Sequence, residues 1–429
     1  MTTALALNQI SAADAARALV AGKLTSEALV AACLERIKQR EDGVRAWAFI
    51  DPELALKQAR QRDREAPKSR LHGIPVGVKD VIDTCDMPTE YGSPIYRGHR
   101  PACDAACVAQ VREAGGVILG KTVSTEFATR HPNKTRNPHD LGHTPGGSSS
   151  GSAAAVADCM VPIAFGTQTS SSTIRPAAFC GVIGYKPTFN LINRAGLKFL
   201  SESLDTLGLL TRTVEDAALM VETLAGLPET PFAAVATLKP RVGFCRTPHW
   251  SQADAASQAN LERAAQVLAA AGATVSAVEL TSEFSKLAET QITVSAYEFF
   301  RALTHERTRF PQLISASLTA RIAAGGKVTR SRYEEGLALA EHCRKRIADT
   351  FRDYDVLLAP SAPGEAPSGL GGTGDPIFGL LWTLLLLPCL TLPYGKGPTG
   401  LPLGVQVIGR HGGDAALFVA AEWVQRALG

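Results

Sequence analysis

Gly73-Ile74-Pro75-Val76-Gly77-Val78-Lys79-Asp80 is the stretch from which the rest of the chain is read. Ile74 to Val78 is short, apolar and β-branched, which predicts a strand buried on both faces. A lysine therefore stands at the end of an apolar strand. Upstream, Ser11-Ala12-Ala13-Asp14 has the pattern of a capping box, ahead of a helix with apolar positions Ala15, Leu19 and Val20 that ends near Gly22. Thr25 or Ser26 caps a second helix to about Gln39, and residues 51–62 predict a third. Downstream, helices are predicted over 104–114, 150–157, 213–224, 254–271, 285–304, 331–352 and 413–427. Between them, strands are predicted over 117–119, 161–165, 182–185, 241–245, 273–279, 355–359, 389–393 and 403–409. Residues 227–238 and the Gly/Pro-rich 363–376 read as connectors. Strands that alternate with helices predict a large α/β fold, its mostly buried, mixed sheet covered by helices on both faces.

The bulk composition excludes several classes. A length of 429 residues is enough for two or three domains, yet a large α/β enzyme can hold it in one body. The net charge of +3 and the absence of a long Lys/Arg run argue against nucleic acid and anionic membranes as partners. Leu380–Leu392 is the most apolar stretch, but Pro388 interrupts it and it is too short to span a bilayer, so it predicts a buried element. Met1–Ile10 lacks the basic start of a signal peptide. Nine scattered cysteines with no C-x-x-C pair predict reduced, mostly buried thiols and a cytoplasmic location. No metal-ligand spacing such as H-E-x-x-H occurs, and neither metal nor cofactor is expected.

Two familiar motifs match in letters and fail in context. Gly115-Gly116-Val117-Ile118-Leu119-Gly120-Lys121-Thr122 fits the P-loop pattern, but its middle reads as a strand whose N–H groups are already paired. Gly147-Ser148-Ser149-Ser150-Gly151 fits the nucleophile elbow, which would make Ser149 the nucleophile. An elbow needs an apolar strand before it, and residues 131–146 are polar and turn-rich. His342 and His411, the late histidines, are expected to be exposed.

Three segments carry the chemistry together. The first is the strand ending at Lys79. The second is Pro145-Gly146-Gly147-Ser148-Ser149-Ser150-Gly151-Ser152. The third is Gly166-Thr167-Gln168-Thr169-Ser170-Ser171-Ser172-Thr173-Ile174-Arg175-Pro176. A lone lysine ordinarily snorkels to solvent, and a lone Gly/Ser turn ordinarily caps a helix. Two serine-rich turns and a strand-end lysine could place two hydroxyls and an amine in one relay.

These segments resemble the signature of the amidase signature family, whose triad is Ser–cis-Ser–Lys. Further likeness runs through 81–96, 117–127, 179–188 and 402–410, so it covers most of the chain. The third segment and the run Asp86–Gly98 are most similar to the bacterial malonamidase-like branch. The resemblance implies a single amidase domain over 1–429. Within it lie a helical layer over 1–65, a core with the triad over 66–225, an α/β subregion shaping the substrate pocket over 240–360, and returning strands and a helix over 377–429. It implies Ser172 as nucleophile, Ser148 as the bridging serine after a cis peptide, and Lys79 as general base. Thr169, Ser170, Ser171 and Ser172 would supply the oxyanion hole. Arg175 is either a structural ion pair under the turn or a clamp for a substrate carboxylate. Gly147, Ser149, Thr167 and Gln168 would support the site, and Cys180 is expected in the core.

These roles are physically coherent. A serine hydroxyl needs a base to take its proton, and a lysine serves only when neutral. Neutrality near pH 7 requires a depression of roughly 3 pH units, about 4 kcal/mol, in the direction in which burial acts. Where the family has Gly-Gly before the nucleophile, this chain has Ser170-Ser171, and serine tolerates positive φ poorly. The turn is therefore expected to be reshaped, to be strained, or to add hydroxyls to the pocket. The expected function is cleavage of a small-molecule amide, with a carboxylate-bearing substrate as the finer reading. The alternatives are an ester or carbamate hydrolase, a non-catalytic binding protein, and an amidotransferase-type subunit. The loop 363–376 and the helices over 285–304 and 331–352 are expected to shape the pocket, and the apolar N-terminal helices would suit a homodimer.

Overall fold

The computed structural model describes residues 6–429, so the first five residues of the expected N-terminal layer lie outside the described residues. The described strands form one sheet of eleven. In chain order they are β1 (Trp47–Ile50), β2 (Pro75–Lys79), β3 (Val117–Thr122), β4 (Ile163–Gln168), β5 (Ile183–Lys186) and β6 (Thr206–Thr211). Then come β7 (Arg241–Cys245), β8 (Thr274–Val278), β9 (Val356–Pro360), β10 (Cys389–Lys396) and β11 (Pro402–Ile408). The spatial order is β1-β3-β2-β4-β6-β5-β10-β11-β9-β7-β8. β2 runs parallel to both β3 and β4, and β7 runs parallel to β8 and β9, while the remaining pairings are antiparallel. Every residue of β2, β3, β4, β5 and β6 is buried, so these strands are covered on both faces.

The sequence reading missed β1, β6 and the helices Ile174–Cys180, Thr304–Arg309 and Ala316–Gly325. For β6 the reason is physical. Gly208 interrupts its apolar run, and a Cβ at that position would lie 2.4 Å from Thr173 Oγ1. The glycine that weakens the strand signal lets the signature turn rest on the sheet. The second helix runs to Val44 rather than Gln39, and Val20, expected to face the core, is 69% exposed. Leu380–Leu392 divides into the wholly buried helix Ile377–Leu384 and the start of β10. Among the described residues, no helix is long and apolar enough to cross a membrane.

The P-loop look-alike is strand β3, as its Val-Ile-Leu centre predicts. Its Lys121 is fully buried and donates to Thr89 Oγ1 at 2.7 Å and to the Ile82 carbonyl, so its ammonium braces the loop after β2.

The helix Ser150–Ala157 is built of small residues because it is wedged against the strand ends. Ser152 Oγ donates to the Phe165 carbonyl at 2.7 Å and lies 2.7 Å from Thr122 Oγ1. A Cβ at Gly151 would lie 2.2 Å from the Ala46 carbonyl oxygen and 2.3 Å from the Val123 nitrogen. Both neighbours are backbone and cannot rotate away. Gly151→Ala is therefore expected to lose about 1–3 kcal/mol of stability through overpacking. The check is a lowered urea midpoint at unchanged slope; a midpoint equal to that of the parent would refute this packing account.

Candidate active site

β2 and β4 are parallel neighbours, so their carboxyl ends lie on one side of the sheet. Lys79 closes β2, and Thr167 lies near the end of β4. The turn before the helix Ser150–Ala157 arrives over the same end. As a result Lys79 Nζ lies 2.8 Å from Ser148 Oγ, 3.1 Å from Ser149 Oγ and 2.7 Å from Thr167 Oγ1. The lysine is fully buried. Desolvation holds its amine well below the usual lysine range, opposed by the charge of Asp205.

The peptide between Gly147 and Ser148 is cis. The glycines before it allow a close approach: a Cβ at Gly146 would meet Pro176 Cα at 2.8 Å, and one at Gly147 would meet Thr373 Cγ2 at 2.8 Å. The Gly147 carbonyl accepts from Arg175 Nη2 at 2.6 Å, and the same nitrogen donates to Thr373 Oγ1 at 3.2 Å. Arg175 is buried, and burial with the nearby Arg130 pulls its guanidinium down to about 9. Neither sequence reading of Arg175 describes this arrangement. It forms no ion pair among the described residues, and its bonded nitrogen holds the serine turn rather than facing open space.

Ser149 N donates to the Ser172 carbonyl at 3.1 Å, which ties the first serine turn to the second. Ser172 is 8% exposed, and its hydroxyl makes no hydrogen bond among the described residues. The structure thus brings Lys79 to Ser148 directly, and Ser172 to the same corner through its backbone. The N–H groups of Thr169, Ser170, Ser171 and Ser172 find no acceptor among the described residues, whereas Gln168 Oε1 accepts from the next two, Thr173 N at 3.0 Å and Ile174 N at 3.1 Å. Gln168 Nε2 donates to Thr383 Oγ1 at 3.0 Å, and Thr383 donates to the Ser170 carbonyl at 2.8 Å. Gln291 Nε2 donates to the Thr169 carbonyl at 2.7 Å and to Ser170 Oγ at 3.2 Å. Thr169 Oγ1 donates to Asp205.

The expectation that Ser170-Ser171 would strain this turn is corrected. Neither residue has a positive φ. Room for Ser171 comes from the opposing helix Ile377–Leu384, where a Cβ on Gly379 would lie 2.5 Å from Ser171 Cβ. Ser171 Oγ is buried there without a hydrogen-bond partner, so it does not enlarge the polar lining of a pocket.

A cavity of about 400 Å³ opens beside the turn. It shares Ser170 with the turn and is lined further by Thr129, Arg130, Gln291, Ser317, Arg321 and Leu380, among others. Of the helices expected to shape a pocket, Leu287–Ala302 contributes and Arg330–Thr350 does not. The missed helix Ala316–Gly325 takes its place. Arg321 reaches Ser295 Oγ at 3.4 Å and lies over the Phe299 ring at 4.3 Å. Burial and the nearby Arg130 lower its guanidinium to about 10. Asp205, Gln291, Thr383, Arg130 and Arg321 were not singled out from the sequence. Each is an isolated polar residue outside any motif, so nothing local marks it.

Ser149, the nucleophile of the elbow reading, is saturated. It accepts from Lys79 and from Thr167 N at 3.2 Å, and donates to the Thr167 carbonyl at 3.3 Å. His342 and His411 are exposed, as expected. Cys180 is buried in the core, and burial pushes its thiol up.

Comparison with known proteins agrees with this architecture. The family described as Amidase matches residues 28–418. A glutamyl-tRNA(Gln) amidotransferase subunit from Anaeromyxobacter sp. (strain K) is 32% identical, with 100% of this chain and 98% of the relative aligned. A crystal structure of an amidase is 30% identical and superposes with a TM-score of 0.89, covering 98% of this chain and 100% of that one. The native peptide amidase from Stenotrophomonas maltophilia is 30% identical with a TM-score of 0.83, covering 98% and 97%. With a sheet, two serine turns and a buried lysine that all fall within the matched span, the chain belongs to the amidase signature family.

Proposed function

We propose that this chain hydrolyses the C–N bond of a small-molecule amide through an acyl-enzyme on Ser172. Ser148 acts as the proton relay and Lys79 as the general base. The observation that carries the reading is the fully buried amine of Lys79 among three hydroxyls. A neutral amine has two N–H groups and one lone pair. Two donors suit Ser149 and Thr167, and the lone pair suits the Ser148 hydroxyl. A neighbour hydrogen-bonded in this way can pass a proton inward.

In acylation, Ser172 Oγ forms a bond to the amide carbon while its proton moves to Ser148, and the Ser148 proton moves to Lys79. The carbonyl oxygen becomes an oxyanion. The unpaired N–H groups of residues 169–172 are the donors offered to it, each worth about 10²–10³ in rate. The C–N bond then breaks as the leaving nitrogen takes a proton back through the relay. In deacylation, water adds to the ester carbon while its proton moves through Ser148 to Lys79, and the bond to Ser172 Oγ breaks as that oxygen takes the proton back by the same route, releasing the carboxylic acid. Ser172 and Ser148 are not hydrogen-bonded to one another, and catalytic hydrogen bonds commonly tighten only on substrate binding.

The finer reading is an amide whose acyl part carries a carboxylate. Arg130 and Arg321 both line the cavity beside the turn, and neither forms an ion pair among the described residues. Two guanidinium groups that make no direct ion pair suit an anionic group. This transfers the clamp role from Arg175 to another pair. A second reading, as one component of an amidotransferase, is favoured by relatives aligned over nearly the whole chain. Glutaminase and asparaginase activity of the isolated chain, with its mass in solution, separates the two. Amide, ester and carbamate substrates with one chromogenic leaving group separate the hydrolase classes.

A fluorophosphonate label followed by peptide mapping is expected to modify Ser172; modification elsewhere overturns the assignment. Lys79→Ala is expected to lose about 10²–10⁴-fold in kcat/KM. Because the Lys79 pKa is depressed and the base must be neutral, activity should rise with pH through one limb lying below the ordinary lysine range. A profile with no such limb contradicts a lysine base. Arg321→Gln should raise KM about 10- to 100-fold for a carboxylate-bearing amide and leave a neutral one unchanged. Equal loss on both substrates rejects the anion-binding role.

A further inference from the structure

We infer that Asp205 is a positioning residue for this chemistry, holding the first residue of the oxyanion turn and setting its negative charge against the Lys79 amine. The inference rests on the reading of Lys79 as the base.

Asp205 is a buried carboxylate immediately before β6, and its bonds divide between two tasks. Oδ1 accepts from Thr169 Oγ1, the residue that leads β4 into the turn. Oδ2 accepts from Leu200 N at 2.8 Å and Ser201 N at 3.0 Å. The loop carrying it is clamped from outside. Arg194 Nη1 donates to the Asp205 carbonyl at 2.7 Å and to the Glu202 carbonyl at 3.0 Å, with its guanidinium 4.3 Å and 4.9 Å from the Phe189 and Phe199 rings. Glu298 accepts from Ser201 Oγ and, at 2.8 Å, from the Tyr333 hydroxyl. The carboxylate thus has a fixed place and three donors, an arrangement that favours its ionised form. Burial and Glu298 push its pKa up, and the three donors oppose them.

The charged groups facing Asp205 are Lys79, Arg194, Arg321 and Glu298. Thr167, bonded to Lys79 at 2.7 Å, and Thr169, bonded to Asp205, stand two residues apart at the end of β4, which brings the carboxylate to the corner of the amine, and its charge favours the protonated form of Lys79. When Lys79 takes the proton, a cation appears in a dry site. An isolated buried cation is costly, and a fixed negative charge offsets part of that cost. Asp205 therefore keeps Lys79 basic enough to accept the proton, while burial keeps it neutral at rest. The Thr169 bond fixes where the turn begins, and so where its free N–H groups point.

The two tasks separate by mutation. Asp205→Asn removes the charge and retains an oxygen acceptor for Thr169. Without the negative charge the ammonium is less favoured, so the acidic limb of kcat/KM should move to lower pH by about 1 unit. The plateau should fall about tenfold as the base weakens. Thr169→Val removes the hydrogen bond and keeps the charge, so kcat should fall about tenfold while the limb stays in place. Asp205→Glu, which keeps the charge, should keep the limb near its parental position. If Asp205→Asn does not fold, Asp205→Ser carries the same expectation for the limb. A limb that stays at the parental pH in the neutral variants, with Lys79→Ala inactive, overturns the inference and leaves the base assignment standing. If Lys79→Ala keeps both activity and limb, the base assignment falls and the charge role of Asp205 falls with it.

Discussion

The buried amine of Lys79 is the constraint around which the site is arranged. An ammonium at that depth would need a close counter-ion, and the groups within 3.1 Å are three neutral hydroxyls. The burial that would be a liability for a structural lysine is what suits this one to the base role proposed for it. Lys121 shows the contrast. It is equally buried one strand away, but it has the Ile82 carbonyl and two threonine hydroxyls as acceptors, with Asp80 at 4.0 Å, and burial lowers it only to about 8. Two lysines of one sheet thus differ in chemistry because their acceptors and counter-charges differ.

Bringing three distant segments to one amine requires backbones to approach more closely than side chains usually permit. Glycines and small residues meet that need. Gly151 lets the serine helix touch the backbone at Ala46 and Val123, Gly208 lets Thr173 rest on the sheet, and Gly379 makes room for Ser171. The chain replaces the family's Gly-Gly with Ser-Ser and retains an unstrained turn, because the missing volume is supplied by a helix about two hundred residues later in the chain. Side-chain amides and hydroxyls then hold the turn from outside: Gln168 from below, Thr383 and Gln291 from two helices. Its own N–H groups are left unpaired.

Arg175 shows what the tertiary structure adds to a residue picked out by position. Three residues past Ser172, a guanidinium fork suits a carboxylate, and here the helix Ile174–Cys180 sets one of its nitrogens on the Gly147 carbonyl. That bond holds the peptide leading into Ser148. The unpaired cations of the cavity, Arg130 and Arg321, come from segments with no motif, one of them on a helix that the local pattern did not reveal.

The sequence by itself determined the alternation of strands and helices, the burial of β2, and the identity of Lys79, Ser148 and Ser172 as residues worth placing together. The strand and the two turns were legible from local rules, an apolar β-branched run and Gly-rich serine turns, whereas the choice of Ser148 and Ser172 within those turns came from the family resemblance. The tertiary structure decided everything that depends on who the neighbour is. It decided that β6 pairs despite Gly208, that Ser171 faces a glycine, and that Asp205 holds Thr169 at the start of the turn. A hydrogen bond or a desolvation energy belongs to a pair of groups and to the water excluded from between them. When those groups lie on segments distant in sequence, no local pattern records that they meet.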